Sequence, residues 1–356
     1  MPRLRYEPES FPAFMGVAFR QPSDLDFTWE ELCKCAITVG RANWVDVMQN
    51  GRFSFFELTW RIAMLWANLQ EDATGSLRPS DAFKRLDRSE KGAISYFLGM
   101  CFTKLLLEKL FGVPWLLHFD VYRNSLNGYL ASNRRPDFVG LDARQQWAVV
   151  EAKGRSWSMP DYTMAAAKQQ TRSLRNIDGQ LPSLRTAVGV YFKGGIAARI
   201  WDPDEYDDEA EDQPIDPDQF LRLYYEPLIV RTGLLQSRTR TQSSTQKLRR
   251  GVELEGLDAT LLVDNDIIDA FQRERPLWHS VMATRLGGAD SILAEIASLR
   301  AHLVAESRDE GRELLSQLID KRRSMDIGQA ADGVTVELGQ SWSAGNMQRD
   351  PKDRGR

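Results

Sequence analysis

Residues 134–153 read RRPDFVGLDARQQWAVVEAK, and this stretch decides how the centre of the chain folds. Phe138-Val139-Gly140-Leu141 and Trp147-Ala148-Val149-Val150 are short apolar runs, separated by Asp142-Ala143-Arg144-Gln145-Gln146. Two such runs around a polar centre predict a β-hairpin. Paired positions in an antiparallel hairpin have a constant sum. Setting Asp137 opposite Glu151 makes that sum 288 and leaves Arg144 at the tip, where the sequence is most polar. Because strand side chains alternate, Glu151 and Lys153 share a face with Trp147 and Val149, whereas Ala148, Val150 and Ala152 occupy the other.

Directly opposed side chains have Cβ atoms about 4.5 to 5.5 Å apart, so Asp137 and Glu151 repel each other unless something neutralises them. A divalent cation does so. Mg²⁺ suits the pair, because it takes one or two carboxylates together with water and phosphate oxygens. Lys153, one pleat along, is placed to stabilise charge developing on a phosphate or to assist deprotonation of the attacking water. The plainer alternative is an exposed ion pair between Glu151 and Lys153, worth about 0 to 1 kcal/mol. It leaves Asp137 unexplained.

On either side the pattern is consistent. A helix begins near Ser89, with Glu90 in its first turn where the helix dipole favours a carboxylate, and runs to Gly112. After Pro114 the period changes to two, and WLLHFDVY (115–122) reads as a strand. Pro160 opens a helix over DYTMAAAKQQTRSLRNI (161–177), whose stripe Met164, Ala167, Leu174 and Ile177 puts Gln170 rather than Gln169 on the sheet side. TAVGVYF (186–192) and AARIW (197–201) read as further strands. The order is α-β-β-β-α-β-β, an α/β (α+β) arrangement.

Pro136-Asp137, followed by Glu151-Ala152-Lys153 within this element order, resembles the signature of the PD-(D/E)xK nuclease superfamily. The likeness covers about residues 89–201, roughly a third of the chain. It implies a restriction endonuclease-like α-β-β-β-α-β core with helical N-terminal and C-terminal additions. It also implies a Mg²⁺-dependent phosphodiesterase, with Mn²⁺ able to substitute, acting as a DNA endonuclease. Asp137 and Glu151 would be the metal ligands and Lys153 the residue beside the attacking water, with Gln170 matching a glutamine that many members direct at the site from the following helix. Some members add an acid from the first helix. None matches cleanly here, the nearest being Glu108, in line with Ile94, Leu98, Cys101 and Leu105, so the number of metals stays open. Arg135, Arg155, Lys168 and Arg172 are the candidate phosphate contacts, though the helical ones read equally well as solvated charges. The setting the likeness suggests is bacterial restriction or anti-phage defence. A catalytically inactive nucleic-acid-binding or scaffold subunit of a larger complex is the alternative.

Charge fits a nucleic-acid partner locally but not globally. The chain has 46 basic and 50 acidic residues, a net −4. Between Ser89 and Trp201, fifteen Lys and Arg stand against eight Asp and Glu, so that segment is +7 and the remainder −11. Three cysteines and three histidines, scattered along the chain, make neither a disulfide framework nor a four-ligand zinc set. Hydropathy predicts no membrane span, and the start MPRLRYEPESFPAF lacks the apolar run of a secretory signal, which points to a cytoplasmic protein.

The flanks divide by composition. Residues 1–88 read as mainly helical, from FTWEELCKCAITVGRANWVDVM (27–48) and FSFFELTWRIAMLWANL (53–69). Residues 202–250 form an acidic and then basic linker: DPDEYDDEAEDQPIDPD (202–218) holds ten carboxylates and no basic residue, and SRTRTQSSTQKLRR (237–250) is polar and basic. Residues 251–323 read as mainly helical, with Ile292, Ile296, Leu299 and Leu303 on one stripe between Asp290 and Arg323, fit for self-association, a partner protein or packing onto the same chain. Residues 324–356 read as a flexible tail with VTVEL as its one strand-like piece.

Overall fold

A computed structural model describes residues 1–11, 19–39, 52–126, 135–142, 145–202, 211–229, 239–241, 248–254, 256–277 and 332–342. The chain opens with strands β1 (Arg3–Glu9) and β2 (Ser23–Asp26) before helix α1 (Trp29–Thr38). α1 starts where it does because Thr28 Oγ1 accepts the Glu31 N–H while Glu31 accepts the Thr28 N–H, satisfying two helix-end donors reciprocally. Helix α2 (Arg52–Asn68), the hairpin β3 (Leu69–Glu71) and β4 (Leu77–Pro79), and the short helix α3 (Asp81–Arg85) lead to helix α4 (Arg88–Leu106). Asp87 caps α4 by accepting from the backbone of Ser89 and Glu90, and a wider π turn at Leu107–Phe111 ends on left-handed Gly112 (φ 67°).

Next come β5 (Trp115–His118), the single-turn helix α5 (Phe119–Tyr122), β6 (Phe138–Leu141), β7 (Trp147–Arg155), helix α6 (Asp161–Thr171), β8 (Leu174–Ile177), β9 (Leu184–Tyr191) and β10 (Ala197–Trp201). They are followed by β11 (Glu211–Gln213), α7 (Pro217–Ile229), β12 (Thr239–Thr241), β13 (Leu248–Leu254), β14 (Ala259–Asp264), α8 (Asn265–Gln272) and β15 (Val334–Leu338). A seven-stranded mixed sheet in the order β2-β1-β10-β9-β7-β6-β5 forms the centre. β7 and β9 are parallel, and α6 lies in the crossover a parallel pair requires. Helix α4 lies on one face of β7. Met159 and Met164 press on the other face of the sheet at neighbouring β9, where an added Cβ on Gly189 would meet them at 2.5 to 2.9 Å. With helices on both faces, β7 reads as a continuous apolar run and is buried from Trp147 to Ala152.

Several expectations need correcting. The N-terminal segment contributes its helices, but β1 and β2 extend the central sheet; Leu4 and Tyr6 point inward with period two on either side of exposed Arg5. The 115–122 stretch is a strand only to His118. Its continuation Phe119–Tyr122 coils into a helical turn that buries Phe119 and Tyr122. The helix expected to reach Ile177 ends at Thr171, and Leu174 and Ile177 fill the core from β8, which pairs with β11. Glu211–Gln213 is therefore a strand, and Asp216 and Asp218 have structural work: Asp216 accepts from the α7 N-terminus, and Asp218 accepts the Leu277 N–H at 2.5 Å. The segment 251–323, expected to be mainly helical, supplies β14 and the end of β13 to a second sheet, β12-β13-β14-β15, whose last strand is VTVEL. Residues 332–342 of the expected tail are built into the core, with Val334, Val336 and Trp342 buried. The Asp290–Arg323 stripe and residues 203–210 and 242–247 lie outside the described residues.

Candidate functional site

β6 and β7 pair in the register expected from sequence, with Phe138 opposite Val150 and Leu141 opposite Trp147, each pair summing to 288. The turn closes where Gln145 donates to Asp142 O at 3.1 Å, and Gln145 itself takes a left-handed φ of 61°. At the other end the ladder gives way to side chains. The Asp137 N–H donates to Glu151 Oε2 at 2.8 Å, and the Ala152 N–H donates to Asp137 Oδ2 at 3.0 Å. Each acid thus satisfies a backbone donor on the opposite strand. The Phe119 N–H donates to Asp137 O at 2.8 Å, so the Asp137 backbone is held on both its polar groups.

Lys153 Nζ bonds Glu151 Oε1, joining the lysine to the acid two residues earlier on the same strand face. Glu151 is wholly buried, while the Lys153 side chain keeps 29% exposure, so the pair leads from the interior to solvent. Gln170 is half-buried on α6 and donates to Arg135 O at 3.1 Å, two residues before Asp137; Gln169 is exposed. The structure therefore gathers Asp137, Glu151, Lys153 and Gln170 at one end of the hairpin.

Burial and then the like charge of Asp137 push the Glu151 carboxyl up to about 8, against the opposing pull of Lys153. Among the described residues Lys153 is the one cation paired with the two acids, which leaves them one positive charge short. A Mg²⁺ ion fits that deficit, since two carboxylates are a usual protein contribution to its shell. No hydrogen bond among the described residues reaches Asp137 Oδ1, and no cluster of three or more Asp, Glu, His and Cys fit to hold a metal occurs among them. The site offers a pair of acidic ligands.

The basic candidates separate. Arg135 is tied to Asp120 at 2.9 Å, and Arg155, exposed at the end of β7, donates to Thr163 Oγ1 at 3.2 Å. Lys168 instead lies over the Trp201 ring at 5.7 Å, and Arg172 is half-buried with no hydrogen-bond partner for its Nε among the described residues. Glu108 is not part of this site. It pairs with Lys34 in a buried network that includes Lys104, Tyr224 and Asp332.

Two neighbours of the acids were not singled out in the sequence. His118 faces Phe138 across β5 and β6; burial lowers its imidazole pKa, which Asp137 and Asp120 partly oppose. Tyr96 of α4 has its phenol raised by burial and then by the charges of Asp137 and Glu151. The antiparallel pairing of WLLH with FVGL places His118, but no periodicity places Tyr96, which reaches the site through tertiary packing.

No family model, curated protein or solved structure matches this chain. Among the described residues, no helix is long and apolar enough to cross a membrane.

Proposed function

We propose that this chain is a metal-dependent nuclease hydrolysing phosphodiester bonds, acting on DNA as an endonuclease, with the central elements forming a PD-(D/E)xK-type core. One observation carries the reading: Asp137 and Glu151 hold each other's strand backbones at 2.8 and 3.0 Å, with Lys153 attached to the same acid and leading to solvent. Asp137 and Glu151 would hold Mg²⁺, or Mn²⁺ in its place, which when bound supplies Lewis-acid polarisation of the phosphate. Lys153 sits where an amine can offset charge building on the phosphate oxygens. Gln170 acts one step back, fixing the backbone that presents Asp137. Arg155, on the strand face of Glu151 and Lys153, extends the positive charge along the path of a polynucleotide backbone.

A second reading, a binding module without catalysis, draws on the small acidic set and on the direct Lys153–Glu151 bond. Incubation with plasmid, linear duplex, single-stranded DNA and RNA in Mg²⁺, Mn²⁺ or EDTA separates the two. Cleavage that requires metal and is lost in Glu151→Gln supports the nuclease. Binding without cleavage under every metal condition leaves the binding module.

A further inference from the structure

Beyond Lys153, β7 ends at Arg155 and the chain turns through Ser156 and Trp157 into the rim of a cavity of about 430 Å³. That volume falls within the range of small-molecule sites. Its walls bring together Phe83 and Phe192, Trp157, and the cations Arg78, Lys84 and Lys91, and no carboxylate residue lines it. Phe83 and Phe192 are stacked at 5.2 Å and buried, giving a rigid apolar back wall. Trp157 stands at the mouth with 66% exposure, and Lys193 Nζ lies 5.7 Å from its ring centroid. Lys91 and Lys193 form no ion pair among the described residues. The turn after β9 passes through Gly194 and Gly195, both at positive φ, which leaves that side of the cavity without side chains.

The cavity shares its two supports with the carboxylate pair. Lys91 belongs to α4, which also carries Tyr96 beside Asp137 and Glu151, and Trp157 continues the strand that carries Glu151 and Lys153. The two supports meet at Gly154, whose Cα lies against Ser95 and Tyr96. From Lys153 to Trp157 the chain can span at most about 13 Å, a distance that a short run of nucleotides covers. An exposed indole beside a stacked phenylalanine pair, with no carboxylate in the lining, Arg78 and Lys84 bonded to Asp72 and Asp81, and Lys91 and Lys193 outside the ion pairs of the described residues, suits an aromatic ring attached to an anionic backbone. Bases inside a duplex present only their edges, whereas unpaired bases present the faces that aromatic side chains stack on.

We infer that this cavity is a stacking site for an unpaired nucleobase of single-stranded nucleic acid, with Trp157 as the platform and Lys91 and Lys193 at the flanking phosphates. The inference rests on the nuclease reading for its bearing on cleavage, and it names the substrate of that site as a polynucleotide with an unpaired segment.

The test is fluorescence anisotropy in EDTA with labelled oligo(dT), oligo(rU) and a blunt DNA duplex, on the full chain and on Trp157→Ala and Trp157→Phe. Trp157→Ala should weaken single-strand binding by roughly five- to a hundredfold, the effect of losing one stacked base. Duplex binding should be unchanged, and Trp157→Phe should recover most of the loss. The exposed indole can be removed without opening the core, because the Trp157 contact to Phe192 N–H is made by its backbone carbonyl. The ratio of oligo(dT) to oligo(rU) affinity tells DNA from RNA. Single-strand affinity insensitive to Trp157→Ala, or a loss shared equally by the duplex, overturns the stacking site. Cleavage in Mg²⁺ together with either of those results overturns the stacking site alone. Trp157-dependent single-strand binding without cleavage in Mg²⁺ or Mn²⁺ supports the stacking site and sinks the nuclease. Failure to bind either single strand overturns the stacking site, and absence of cleavage in both Mg²⁺ and Mn²⁺ overturns the nuclease as well.

Discussion

A Cβ built on Gly154 would fall 1.8 Å from the carbonyl oxygen of Ser95. Helix α4 therefore rests its backbone directly on β7, and a Cβ on Gly99 one turn later would lie 2.8 Å from Gly154 Cα. Nothing larger than hydrogen fits between them. The contact holds α4 at the depth that brings Tyr96 beside the two acids.

Gly154→Ala should accordingly destabilise the protein by about 1–3 kcal/mol or more, because the obstructing atoms are backbone and cannot swing aside. Gly92→Ala, on the same helix with open space around it, should stabilise by about 0.4–1 kcal/mol through the unfolded chain. Urea denaturation of the two variants checks the contrast, which equal and small effects would contradict.

Metal-free stability should fall as pH rises from about 4.5 towards about 8. Across that window the folded protein keeps a proton on Glu151 that the unfolded chain has released, so raising the pH favours unfolding. The contribution is present below the unfolded pKa and lost as pH passes through the folded one. Glu151→Gln should remove this part of the slope, and Mg²⁺ should flatten it in the parent. Thermal midpoints over a pH series, with and without the ion, measure both.

The three signature residues should separate by role. Asp137→Asn and Glu151→Gln each remove a charged ligand and should weaken Mn²⁺ binding and abolish cleavage together. Lys153→Ala removes no ligand. It should keep or tighten Mn²⁺ binding, since a cation beside Glu151 is lost, while single-turnover cleavage falls by orders of magnitude.

Gln170→Ala leaves every direct ligand in place but frees Arg135 O, bonded at 3.1 Å. As a positioning residue it should cost about 10- to 100-fold in metal affinity and activity. Gln170→Glu, which cannot donate to the carbonyl when ionised, should not rescue. An unchanged Mn²⁺ isotherm for Gln170→Ala would assign the glutamine to α6 packing alone.

Asp332 accepts from Tyr224 at 2.6 Å and lies 3.6 Å from Lys34, fully buried. Asp332→Ala leaves the buried lysines with Glu108 as their remaining carboxylate and should cost about 3–5 kcal/mol. Chemical denaturation reads it directly.

The hairpin was legible because two constraints met: a period of two fixes which residues share a face, and a polar tip fixes the register. Gln170 was legible because Met164 and Ala167 mark the buried side of α6. Leu174 and Ile177 misled for the same reason, since they continue that stripe in number while the backbone has already changed to a strand. β1 carries a clear alternation at Leu4 and Tyr6 and pairs nearby with β2, but what joins it to the central sheet is β10, almost two hundred residues later, and no local pattern announces that pairing. The second sheet was hidden likewise, because β15 pairs with β14 across a long intervening segment. Glu108 sits on the apolar side of its helix as expected, yet what it faces there is Lys34 from α1.

The buried network around Lys34 and Lys104 gives the order of synthesis a physical meaning. Asp137, Glu151 and Lys153 emerge from the ribosome well before Asp332 and β15, so a nascent chain carries the whole candidate site before it owns the second of the two carboxylates, after Glu108, that its buried lysines share. Those lysines lie on α1 and α4, which pack on each other, α4 on the central sheet and α1 on β15. Until Asp332 is made, the helices beside the candidate hairpin hold two buried lysines against Glu108 alone, and chains cut short of it are left with an under-neutralised interior and open to proteolysis. Synthesis as far as Asp332 and full neutralisation of the interior beside the candidate site are thereby linked through one aspartate.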